Sequence, residues 1–151
     1  VEFEKIKSDD KVEDIILGAL ELKLPVTGGW GYTKDDPVII TDDSMPSIQL
    51  EYMFVTAHST IVMNLTQPKE KRYGGINVKE LSRESLEEKG EMIEKVNFEI
   101  SGMLEDVYAD FIKEYKENHG DDKFDLNGHF KRREENTLKL NQSFWFKKKG
   151  K

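Results

Sequence analysis

Residues 92–118 read MIEKVNFEISGMLEDVYADFIKEYKEN, and two periodicities compete within them. Met92, Ile93, Val96, Ile100, Met103, Leu104, Val107, Tyr108, Phe111, Ile112 and Tyr115 keep steps of three and four, the spacing of a helix that buries one face. Val96, Phe98 and Ile100 also alternate with Asn97 and Glu99, which is strand spacing. Beyond Gly102 the helical reading stands unopposed. The sequence therefore predicts a long amphipathic helix near 102–118, stopped by His119-Gly120, with helix and strand both open for 92–100.

Towards the N-terminus, SIQLEYMFVTAHSTIVMNL (47–65) carries a similar ambiguity. The preceding DDSMP supplies capping residues and an early proline, which favours a helix. SDDKVEDIILGALEL (8–22) also reads as a helix, with Ser8 or Asp9 as cap and acids in its first turn. Between these lie LPV and PVIIT, two short β-prone runs joined by the glycine-rich stretch TGGWGYTKDD (27–36). KELSRESLEEKGE (79–91) fits a short helix or a hairpin around Lys89-Gly90. Asn127-Gly128 is the strongest local hairpin signal, and LKLNQSFWFKKK (138–149) reads as a terminal strand. The sum is one α+β domain over 1–151: a mostly antiparallel sheet packed against two or three helices, with a short basic C-terminal tail.

Composition narrows the functions. The chain has no cysteine, which removes disulfides, thiol nucleophiles and Cys-based metal sites. Residues 1–60 carry net −7, residues 61–120 net −4 and residues 121–151 net +4. An acidic body repels phosphates and makes nucleic acid an unfavourable partner. No apolar run approaches the length of a membrane span, and VEFEKIK at the start has no apolar signal core. A cytoplasmic, bacterial-type protein without membrane contact is the expectation.

Candidate chemistry is sparse. GGWG has neither the P-loop nor the dinucleotide-turn pattern, so no cofactor is expected. DKFDLNGHFKRRE resembles a calcium loop but begins with Lys123 in place of a carboxylate, so no metal is expected there. The histidines, His58, His119 and His129, form no HExxH pair. His119 with Asp121, Asp122 and His129 is the one grouping from which a metal site could be built. His58 has Ser59 beside it but no orienting acid in the local sequence. Trp30 and Tyr32, two apart, share a side and either cover the core or form an aromatic contact edge. Asp35-Asp36 and Asp42-Asp43 flank PVIIT at both ends.

The expected function is a small acidic protein-binding module, an adaptor, inhibitor or immunity-type protein. It would contact a basic protein partner through Trp30, Tyr32, Asp35, Asp36, Asp42 and Asp43. The alternative is a small histidine–carboxylate enzyme, with or without a metal, which requires His58 or His119 to meet acids in a pocket.

Overall fold

The computed structural model describes residues 2–149. Gly150 and Lys151, the end of the basic tail, lie outside the described residues. The competition within 92–118 resolves into both elements in succession. Strand β4 (Glu91–Leu104) is followed without a break by helix α3 (Glu105–Glu117). Period two prevails in β4 because Val96, Phe98 and Ile100 all reach the core, at 1% exposure or less. Gly102 is buried with Met63 Cε close to where a side chain would project, so the strand continues through it. The helix starts where Glu105 and Asp106 can meet its positive end.

The other elements are α1 (Val12–Leu20), β1 (Val26–Gly28), β2 (Val38–Ile40), α2 (Ser47–Thr60), β3 (Tyr73–Glu88), α4 (Leu126–Glu135) and β5 (Leu138–Lys148). Five strands form one sheet in the order β1-β2-β5-β4-β3. All neighbours are antiparallel except β2 and β5, which run parallel with Val38 opposite Phe146. This is an α+β fold. Phe144 and Phe146 point from β5 to the face covered by α2, where both meet Phe54 edge-on. Trp145 points to the opposite face, with the Lys95 ammonium over its ring at 5.6 Å. The C-terminal aromatics are thus divided between two faces.

Helix α2 continues into a π-helical turn, Ile61–Leu65, closed by Thr66 N–H donating to the Ile61 carbonyl at 3.0 Å. The extra residue in that turn lets Ile61, Val62 and Met63 all be buried in succession. Among the described residues no helix is long and apolar enough to cross a membrane.

Two expectations change. Asn127-Gly128 is not a hairpin but the first turn of α4. Asp125 caps that helix by accepting the Gly128 N–H at 3.0 Å, so an aspartate two residues earlier turned a hairpin signal into a helix start. Helix α1 begins at Lys11 rather than at Ser8 or Asp9, because Ser8 Oγ is occupied in a local turn, accepting the Asp10 N–H at 3.1 Å. Lys89-Gly90 does make the hairpin between β3 and β4, with both residues at positive φ.

The glycines of TGGWG are required by close approach. Gly31 has φ +78, and a Cβ there would sit 2.8 Å from the Trp145 carbonyl oxygen and 2.9 Å from Val38. The same residue's carbonyl accepts the Trp145 N–H at 2.8 Å, tying the loop to the central strand. Gly18, by contrast, lies in α1, and a Cβ added there would meet nothing within 4 Å. Gly31→Ala is expected to destabilise the fold by about 2 kcal/mol or more through left-handed strain and backbone overlap. Gly18→Ala is expected to stabilise it by up to about 1 kcal/mol. Urea denaturation of the two variants checks both, and equal effects would contradict the assignment.

Candidate functional site

Helix α2 places two polar residues on its buried stripes. His58 and Ser59 lie four residues beyond Phe54 and Val55, so the helical repeat carries them inward. His58 is 2% exposed and Ser59 is fully buried. The TGGWG loop brings two rings to the same imidazole. Trp30 lies 5.6 Å from it and Tyr32 5.5 Å, centroid to centroid, and Phe144 closes the box at 5.1 Å. The two rings share a side as their spacing implies, and that side faces the core. Trp30 is 6% exposed, whereas Tyr32 is half-buried.

Tyr32 Oη and His58 Nε2 are 2.7 Å apart. The Ile6 N–H donates to the same phenol oxygen at 3.1 Å. The phenol oxygen keeps a second acceptor position besides its proton, so either tautomer of the neutral imidazole completes the Nε2 bond. Nδ1 of His58 and Oγ of Ser59 are both buried without a partner among the described residues. Burial lowers the His58 pKa to about 4, so the ring is neutral at pH 7. Desolvation likewise raises the Tyr32 pKa, with the Ile6 hydrogen bond acting against it.

These residues line a cleft of about 470 Å³. Val62, Met63, Ile100 and Leu140 supply apolar wall, and the extended segment Glu2–Lys5 forms one side. That segment is held by the Ile6 bond, by Lys5 over the Tyr32 ring at 5.2 Å, and by Phe3 edge-on to Tyr73 at 5.7 Å. A larger cleft of about 590 Å³ lies between the β2–α2 loop and Lys148-Lys149, but no buried polar side chain among the described residues lines it.

The four aspartates do not form one patch. Asp35 and Asp36 sit at the β1–β2 turn, while Asp42 and Asp43 leave the other end of β2. The largely extended chain between the pairs spans roughly 20 Å. All four are exposed, and none has an ion-pair partner among the described residues. Asp42 and Asp43 border the cleft that also holds Lys148 and Lys149, which offsets their charge locally.

The other histidines go elsewhere. His129 is fully buried in the α3–α4 hairpin, with Nδ1 3.2 Å from Glu114 and Phe111, Phe124 and Phe130 around its ring. Arg132 and His129 hold the Glu114 carboxyl down to about 2. His119 is exposed beside Tyr115. The fold does not join His119, Asp121, Asp122 and His129, and no three His, Asp or Glu side chains gather as a metal-binding set among the described residues. The buried Glu51 pairs with the half-buried Arg83 at 2.7 Å and links α2 to β3.

Sequence reading missed the role of Ser59 and the pairing of Tyr32 with His58. The available signal was a His-Ser step four residues after Phe54-Val55. Compared with known protein families, curated proteins and solved structures, the chain gives no match.

The depressed His58 pKa has a consequence for stability. Between about pH 6.5 and 4 the unfolded chain binds a proton that the folded chain refuses, so stability falls as pH falls through that window. The loss by pH 5 is roughly 2 kcal/mol from this group. Glu51, raised by burial, acts in the opposite direction as pH falls. His58→Phe keeps an aromatic ring in the box and removes only the first contribution. Denaturation at pH 7 and pH 5 is expected to show a smaller acid loss in His58→Phe than in the wild type; identical losses would contradict the assignment.

Proposed function

We propose that the protein is a binding module and that its site is the cleft over His58. The observation that carries this reading is the pair of buried, unpartnered polar atoms, His58 Nδ1 and Ser59 Oγ, on residues that line a cleft walled by both apolar side chains and the polar Asn141 and Gln142. A buried polar atom left unpaired costs about 1–3 kcal/mol, so a ligand that pairs with it gains directly. A π-helical turn immediately after these residues, which is a common mark of functional sites, supports the same reading.

Binding is favoured over catalysis for a geometric reason. A histidine acting as base on a serine needs a bond to that hydroxyl and an acid on its other nitrogen. Here Ser59 Oγ has no partner, Nε2 faces a phenol, and Nδ1 meets no carboxylate among the described residues. A saturation-transfer NMR screen of neutral fragments, run on the wild type and on His58→Phe, tests the reading. Hits lost in the variant support it. Hits that persist in His58→Phe place the binding elsewhere and refute it.

The second reading is contact with a basic protein, favoured by the absence of any ion pair at Asp35 and Asp36 among the described residues. The half-buried Glu13 carboxyl, bonded by Thr27 Oγ1 at 3.2 Å, adds charge beside the same strand β1. Partner capture is then expected to fall with salt and to be lost in Asp35→Lys/Asp36→Lys. Asp42→Lys/Asp43→Lys is expected to leave it intact, because those charges stand beside lysines. Co-precipitation at low and high salt measures both, and equal loss in the two variants would sink this division of the acidic surface.

A further inference from the structure

We propose that β3 pairs edge to edge with β3 of a second copy of the chain. The two strands run antiparallel about a two-fold axis between Leu81 and Ser82, and the two five-stranded sheets join into one.

The two edges of the sheet differ greatly. β1 is an edge of 3 residues, whereas β3 is an edge of 16 and pairs with β4 alone. An open edge of that length is a row of free backbone donors and acceptors, a template for a further strand. Its middle, KELSRE (79–84), is complementary to itself in charge. Laid antiparallel on a copy of itself, it sets Lys79 opposite Glu84 and Glu80 opposite Arg83. Slipping the register by one residue sets Lys79 opposite Arg83 in one direction and Glu80 opposite Glu84 in the other. Like charges directly opposite are unfavourable, so both slips are rejected.

Lys79 and Glu84 are five apart, and in a regular strand they would point to opposite faces. A bulge corrects this. Leu81 is the residue left over between the pairs Glu80–Phe98 and Ser82–Asn97. Lys79 therefore stands beside Glu99 and Glu84 beside Lys95, both on the open face that carries Trp145. Glu80 and Arg83 stand beside Phe98 and Val96 on the face covered by α2. The charges that match along the sequence also match on each face.

The open-face pair sets the register. Arg83 is already engaged within its own chain by Glu51, Glu80 and Glu94, so it has little left to gain. Lys79 and Glu84 are exposed and have no ion-pair partner among the described residues. Leu81, 48% exposed, lies beside the axis, where its counterpart from the other copy covers it. At the bulge the Glu80 N–H is donated to Tyr52 Oη at 3.0 Å, so the new ladder forms on either side of it, residues 77–79 of one copy against 84–86 of the other.

Sedimentation velocity over a dilution series of the purified chain tests this, and a reversible dimer is expected. Lys79→Glu sets two acids opposite each other at both symmetric pairs, and Glu84→Lys sets two lysines there. Each is expected to weaken the dimer about tenfold or more. An equimolar mixture of the two variants restores opposite charges at both pairs, and is expected to form a heterodimer more tightly than either variant pairs with itself. A wild type that stays monomeric throughout overturns the proposal, as does a dimer that both variants leave unchanged. Two weakened variants that fail to associate when mixed also overturn it, because the loss then does not come from Lys79 facing Glu84.

Discussion

The last strand of the chain sits in the middle of the sheet, and everything else depends on it. β5 pairs with β2 on one side and β4 on the other, so without it the β1–β2 and β3–β4 hairpins have no common sheet. Its two inward rings, Phe144 and Phe146, are also the floor on which α2 rests through Phe54. Burying aromatic rings of this size supplies much of the favourable free energy of a domain core. The β2–β5 contact spans most of the chain, so it closes a long loop and requires the helices and the β3–β4 hairpin to be accommodated around it.

That central strand also builds the cleft. Phe144 abuts the His58 ring, and the Trp145 N–H fixes the TGGWG loop through Gly31. The loop then delivers Trp30 and Tyr32 to His58 from one side while α2 delivers His58 and Ser59 from the other. The rings that suggested a contact edge therefore serve the interior first. Of the two loop rings, Tyr32 is the one that also lines the cleft, with its oxygen between the imidazole and the N-terminal segment.

Much of the fold was legible because its signals are local. The β-prone runs on either side of TGGWG, the proline at the start of α2 and the alternation in β5 each depend on neighbours in sequence. At Asn127-Gly128 a local rule was outweighed by another, since Asp125 offers a cap and the residues after it can coil. Between Met92 and Leu104 a helical spacing of apolar residues coexisted with strand spacing, and only burial of Val96, Phe98 and Ile100 against other elements decided it. The site was less legible for the same reason. Tyr32 and His58 are 26 residues apart, and nothing local in either stretch announces the other. The aspartate pairs looked like one surface in a linear reading, but a strand between them carries them to opposite ends.

The site turns on an uncharged imidazole bonded through Nε2 to Tyr32, with Nδ1 buried and unpaired among the described residues. Nitrogen-15 NMR of the His58 ring at about pH 6 measures this directly, because protonated and bare ring nitrogens resonate far apart. The expected result is a neutral ring with one protonated and one bare nitrogen. A doubly protonated imidazolium at that pH would contradict it.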